Sequence, residues 1–297
     1  MGNFIISNLS ASLDVAPGLR YDLRMFEHVK KTAISHDGLN LYYETHNLQS
    51  GKPVIFFVHG AGGDADAWEF VRSQLLERGF GGISMDLRGH GYSAHPRNPK
   101  YYEIKNLTAD IATILDQEKI DRVILIGHSY GAVVAIHFAI EYPERLNKLV
   151  IISGSHSSPN YLRHKPLKVL ANWIIDLAAI VSPTSKANWH SQYPQGKFHK
   201  DYELFGLMRT IYHNSWGSYL LTSKQTLNLD IKFKLSKIKT PTLVIAGTSD
   251  SIFPHTVSTE IHGQIEGSKL ELIDGANHVV ILNHPKQTAK LIIDFLT

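Results

Sequence analysis

Residues 122–142 read RVILIGHSYGAVVAIHFAIEY, and this stretch decides the fold. Val123–Ile126 is a continuous apolar run rich in β-branched residues, as expected of a strand buried on both faces. It ends at Gly127. From Tyr130 onward Ala132, Val133, Ala135, Ile136 and Ala139 recur at helical spacing until Pro143 stops the pattern. A strand and a helix are therefore joined by one sharp turn, Gly127-His128-Ser129-Tyr130-Gly131, with a serine at its apex. The five-residue pattern G-x-S-x-G is common on its own. Between a strand and a helix it marks an exposed nucleophile, because the flanking glycines let the two backbones pass closely. The helix N-terminus also aims its free N–H groups at the serine, where developing negative charge is favoured.

Working outward, the same alternation repeats. Val54–Val58, Gly81–Met85 and Leu149–Ile152 are further strand-like runs, and Trp68–Glu77 and Ile104–Glu118 read as helices. The pattern returns with strands at Thr242–Ala246 and Lys269–Ile273 and a closing helix at His284–Leu296. Strands alternating with helices predict an α/β fold with a mostly parallel central sheet flanked by helices. Thr32–Ser35 and Leu39–Glu44 flank Asp37-Gly38, a hairpin signal. Residues 1–28 show no period and read as an N-terminal extension. Between 155 and 236 the alternation breaks. That stretch is rich in aromatic residues (Trp173, Trp189, Tyr193, Phe198, Tyr202, Phe205, Tyr212, Trp216 and Tyr219) and contains a helical pattern at Leu167–Val181. It reads as a helical cap inserted into a core made of 29–154 and 237–297.

Composition removes several function classes. The chain has 297 residues, 43% hydrophobic and 19% charged, ordinary for a globular protein. A net charge of +3 with scattered cations excludes a nucleic-acid footprint. With no cysteine there is no disulfide, no thiolate metal site and no thiol nucleophile. No H-E-x-x-H or His-x-His pattern is present, so no metal and no cofactor are expected. There is no signal-peptide pattern and no integral-membrane span, which makes a cytoplasmic location the expectation. Nor does the sequence show an obvious membrane-binding stripe, which argues against large lipid substrates.

His59-Gly60-Ala61-Gly62-Gly63 follows the strand Val54–Val58. It lacks both the Gly-Lys-Ser/Thr ending of a phosphate loop and dinucleotide spacing. Asp86-Leu87-Arg88-Gly89-His90-Gly91-Tyr92-Ser93 follows Gly81–Met85. Together with the serine turn, these segments resemble the α/β-hydrolase superfamily, in particular its capped, serine esterase-like members. The resemblance covers residues 30–155 and 237–297 well, and the insertion only in that a cap belongs there. Asp86 and Arg88 are expected to be structural.

The resemblance implies a set of site residues. The oxyanion hole would use the N–H groups of Ala61 and Tyr130. Gly247-Thr248-Ser249-Asp250-Ser251-Ile252-Phe253-Pro254 is similar to the family's G-x-x-D-x-x-x-P and points to Asp250 as the acid, with Asp274 as a rival. Gly275-Ala276-Asn277-His278 is similar to its G-x-x-H and singles out His278 among 17 histidines. His284 reads as a helix start, and His59 and His128 as packing or hydrogen-bonding groups. In that scheme His278 takes the Ser129 proton and returns it to the leaving group, while Asp250 fixes its tautomer. The expected activity is hydrolysis of a small-molecule carboxylic ester with a small to medium acyl chain. Carbon–carbon bond hydrolysis or lactonase activity on the same triad is the alternative. A non-catalytic small-molecule-binding protein of the same fold is the rival from another class.

Overall fold

The computed structural model describes residues 27–158, 165–181, 190–193 and 216–297. Among these residues eight strands form one sheet in the order β1-β2-β4-β3-β5-β6-β7-β8. β1 (His28–Ile34) and β2 (Asn40–His46) form the antiparallel hairpin around Asp37-Gly38, with His28 opposite His46. The first strand thus starts at His28, at the last residue of the segment read as an extension. β2 meets β4 (Gly81–Met85) antiparallel. The remaining strands run parallel: β3 (Val54–Val58), β4, β5 (Val123–His128), β6 (Leu146–Ile152), β7 (Thr242–Gly247) and β8 (Lys269–Ile273).

Alternate residues of each central strand feed opposite layers, which is why these strands read as unbroken apolar runs. Phe56, Val58, Leu125, Leu149 and Ile151 join one core, completed by α2 (Ile104–Gln117) and α3 (Tyr130–Glu141). Ile55, Phe57, Ile124, Ile126, Val150 and Ile152 join the other, which includes Val71 and Leu75 of α1 (Glu69–Glu77). α3 is buried almost all round, from Tyr130 to Ala139, as its mostly apolar surface requires.

Among the described residues between β6 and β7 are the α-helices α4 (Lys165–Val181) and α5 (Trp216–Leu227). After β7 come α6 (His255–Gln264), the short α7 (Val280–Asn283) and α8 (Pro285–Leu296). Of the aromatic residues noted in the insertion, Trp189, Phe198, Tyr202, Phe205 and Tyr212 lie outside the described residues.

Arg88 occupies the structural place expected of it. It has no exposed surface and is gripped from two sides. Its guanidinium donates to both oxygens of Asp110 at 2.5 and 2.7 Å, to Asp37 at 2.7 Å and to the Tyr101 carbonyl at 2.8 Å. Removing one member of a buried pair strands the other charge. Arg88→Met is expected to lower unfolding stability by about 3–5 kcal/mol, read as a shifted urea midpoint. A shift of less than about 1 kcal/mol would show that Asp110 finds other compensation.

Candidate active site

Parallel strands bring their C-terminal ends to one edge of the sheet, where the loops that follow can converge. β3 leads into Gly60–Gly63, β5 into Ser129, β7 into Asp250 and β8 into His278. Ser129 sits at φ 53°, ψ −117°, a conformation rarely adopted by residues with a side chain. Two glycines make the elbow feasible. A Cβ on Gly127 would strike the Gly131 carbonyl and Ala132 Cα, and one on Gly131 would strike the carbonyls of Val58 and His59.

The Ser129 hydroxyl is 2.8 Å from His278 Nε2, and His278 Nδ1 is 2.8 Å from Asp250 Oδ2. The carboxylate can only accept, so Nδ1 carries the proton and Nε2 is left as the acceptor facing Ser129. The other oxygen of Asp250 accepts from the N–H groups of Ile252 at 2.9 Å and Phe253 at 2.8 Å. Asp250 is therefore held by its own turn as well as by the imidazole. Its rival, Asp274, is exposed and accepts from Thr248 Oγ1, and His284 stands at the start of α8.

Gly60 packs directly on Ser129, close enough that an added Cβ would lie 3.0 Å from the serine Cβ. In that turn Gly62 N–H donates to His90 Nε2 and Gly63 N–H to the Gly60 carbonyl. The N–H groups of Ala61 and Tyr130 have no acceptor among the described residues. Donors left open beside a strained serine can receive a developing oxyanion.

Three buried histidines brace the loops. His59 Nε2 accepts from Leu87 N–H at 3.0 Å, and its Nδ1 donates to the Gly60 carbonyl at 2.8 Å. His90 returns the connection through Gly62, so the glycine turn and the Asp86–Ser93 segment hold each other reciprocally. His128 Nε2 donates to the His278 carbonyl at 2.9 Å and so fixes the backbone that carries the base. Burial, with His278 nearby, lowers the His128 pKa to about 3 and keeps it neutral.

The described part of the insertion reaches this site through a group that sequence reading passed over. His190 Nδ1 lies 3.1 Å from Asp66 Oδ2 and its Nε2 lies 2.8 Å from Asp86 Oδ2. Both partners are carboxylates, so both ring nitrogens carry protons and the group is an imidazolium. The rings of Tyr42 and Tyr92 flank it at 5.3 and 4.6 Å. Next to it, Ser191 N–H donates to Asp64 Oδ2 at 2.7 Å. Asp86 also accepts from the N–H groups of Ala65 and Tyr92, so its expected structural role is met. Only the acidic residues Asp64 and Asp66 just past the glycine turn hinted at this anchor.

Burial lowers the His190 pKa, but its hydrogen bonds to Asp66 and Asp86 outweigh that and raise it to about 11. A raised histidine pKa contributes stability that is full below about 6.5 and is lost as pH rises toward the folded value. His190→Gln is expected to lower the melting temperature at pH 6. The gap from wild type should narrow steadily from pH 7 to pH 10. A gap independent of pH would show that the imidazole acts by packing alone.

Glu44, Asp66 and His190 place their ligand atoms within 4.8 Å of one another, as do His28, Glu44 and His46. Neither set suits a metal ion. His190 has both nitrogens protonated, and Glu44 already has the Arg72 guanidinium 3.9 Å away and accepts from Tyr42 at 2.7 Å.

A family model described as the alpha/beta hydrolase fold matches residues 53–285. The chain belongs to the α/β-hydrolase fold family. Across its length the hydrolase is 27% identical over 265 residues to the 2-hydroxy-6-oxo-2,4-heptadienoate hydrolase of Pseudomonas putida, spanning 84% of this chain and 91% of that one. Its fold is similar to a thermophilic esterase of Thermogutta terrifontis, with TM-score 0.71, 20% identity and coverage of 91% and 98%. It is also similar to an enol-lactonase of Burkholderia xenovorans, with TM-score 0.69, 21% identity and coverage of 90% and 99%. Among the described residues of this hydrolase, no helix is long and apolar enough to cross a membrane.

Proposed function

We propose that this hydrolase cleaves small-molecule carboxylic esters of small to medium acyl chain through an acyl-enzyme intermediate. The observation that carries the reading is the continuous relay from Ser129 Oγ to His278 Nε2 and from His278 Nδ1 to Asp250, at 2.8 Å in each step. Ser129 Oγ attacks the ester carbonyl carbon while its proton passes to His278 Nε2. The N–H groups of Ala61 and Tyr130 receive the oxyanion. On collapse the alkoxide takes the proton from His278 and leaves as the alcohol. Water, deprotonated by the same imidazole, then attacks the acyl carbon and releases the acid and Ser129. The route uses no metal and no cofactor. We assign residues 155–236 as the cap over this site, tied to the core through His190.

The likeness to the Pseudomonas putida hydrolase supports a second reading on the same residues, cleavage of a carbon–carbon bond. The test is hydrolysis of p-nitrophenyl esters of increasing acyl length by the wild type and by Ser129→Ala. Turnover by the wild type alone supports the ester reading, and the preferred length sizes the pocket. A folded wild type that is labelled by a fluorophosphonate but turns over no ester moves the assignment to carbon–carbon or lactone substrates. A folded protein that takes neither ester nor label is a binding protein.

A further inference from the structure

The sheet ends at β8, whose outer edge meets no other strand among the described residues. Thr248 N–H donates to the Ile273 carbonyl, so Ile273, Glu271 and Lys269 turn their backbone groups toward β7. Backbone direction alternates along a strand, and Leu270 and Leu272 therefore turn theirs outward. No described residue pairs with these outward groups. The strand runs beside β7 from Lys269 to Ile273 without a bulge and contains no proline. An edge this regular is a template for one more strand unless its side chains repel it. Lys269 and Glu271 share one face of β8, both are exposed, and neither has an ion-pair partner among the described residues. Leu272, on the other face, is 40% exposed.

We propose that two copies of this chain pair through β8, edge to edge and antiparallel, into one continuous sheet. A two-fold contact sets the same surface against itself, so the edge must complement its own sequence. The charges select the register. With the axis at Leu270, Lys269 of each copy lies directly opposite the partner's Glu271, on the same face of the sheet. Leu270 then faces its own counterpart and exchanges both backbone hydrogen bonds with it, which uses the groups that point outward. Lys269 and Glu271 fall at the closer, non-hydrogen-bonded positions, about 4.5 Å apart between Cα atoms. With the axis at Glu271 two glutamates would oppose each other. With the axis at Leu272, Lys269 would lie past the end of the partner strand. A lysine on an edge strand ordinarily keeps other strands away. Here the acid two residues further on turns it into an attraction between copies. β1, the opposite edge, carries Lys30 and Lys31 and no carboxylate, so self-pairing there gains no such contact. The next acids outward from Leu270, Glu266 and Asp274, are already occupied by Lys239 and by Thr248 Oγ1. The pairing does not depend on which bond Ser129 cleaves.

The test is sedimentation equilibrium of the full chain over a range of concentrations, with circular dichroism as the check on folding. The wild type is expected to pass from monomer to dimer as concentration rises. Lys269→Glu sets like charges against each other at both symmetry-related crossings and is expected to raise the dimer dissociation constant by about tenfold or more. Glu271→Lys should do the same. Lys269→Glu combined with Glu271→Lys restores opposite charges in the same register, so the double variant should dimerise as the wild type does. Both side chains are exposed, so all three variants should keep the wild-type circular dichroism. A wild type that stays monomeric throughout overturns the proposal. A dimer that neither single variant weakens assigns the contact to another surface and overturns it as well. Single variants that weaken the dimer, with a charge swap that fails to restore it, would show that Lys269 does not meet the partner's Glu271 and overturn the pairing as stated.

Discussion

Ser129→Gly is expected to abolish turnover and at the same time to make the protein harder to unfold than Ser129→Ala. Both variants remove the hydroxyl that faces His278 Nε2 at 2.8 Å, so both should lower kcat by on the order of 10⁵–10⁶ and escape fluorophosphonate labelling. They differ in backbone. At φ 53° an alanine keeps the strain that the native serine carries, about 1–3 kcal/mol for such a conformation. Glycine relieves it and gives back about 0.5–1 kcal/mol through its freer unfolded chain. The glycine variant should therefore be the more stable by about 1 kcal/mol, visible as a higher urea midpoint. Residual turnover within tenfold of wild type would mean that another serine is the nucleophile. A glycine variant less stable than the alanine one would mean that the elbow stores no strain.

Asp250→Asn should cost nearly as much, on the order of 10⁴ in kcat, with little change in fold. The asparagine oxygen can still accept from Ile252 and Phe253, as Asp250 Oδ1 does now at 2.9 and 2.8 Å. That leaves its NH2 group facing His278. Two donors cannot share one hydrogen bond, so Nδ1 must become the acceptor and the proton must move to Nε2. The imidazole then presents an N–H to Ser129 and cannot take its proton. Substrate contacts are untouched, so KM should change much less than kcat. A variant within tenfold of wild type in kcat would remove Asp250 from the relay and return attention to Asp274.

The core was legible because its signals are local. Val54–Val58, Gly81–Met85 and Lys269–Ile273 appear in the structure with the bounds expected of them. Val54–Val58, buried in the sheet, reads as an unbroken apolar run, whereas Lys269–Ile273 at the sheet edge alternates polar and apolar residues. The convergence of Ser129, Asp250 and His278 was legible for a related reason. Each follows a parallel strand, and parallel strands deliver their following loops to one edge.

What the sequence by itself determined, then, is the α/β architecture, the strand ends from which the loops leave, and the residue types available there. Tertiary structure alone decided which of the 17 histidines became an imidazolium and which stayed neutral. His190 is charged because Asp66 and Asp86 meet it from distant parts of the chain, whereas His128 is neutral because burial removes water without supplying a carboxylate contact. Tertiary structure also decided the orientation of α4. Its amphipathic period is written in the residues, but a helix can be mounted either way round. The side that meets α5 was set by Asn228 and Lys224, more than forty residues further along the chain. Periodicity reports that a helix has two faces, and only its packing partners settle which of them is left to the solvent.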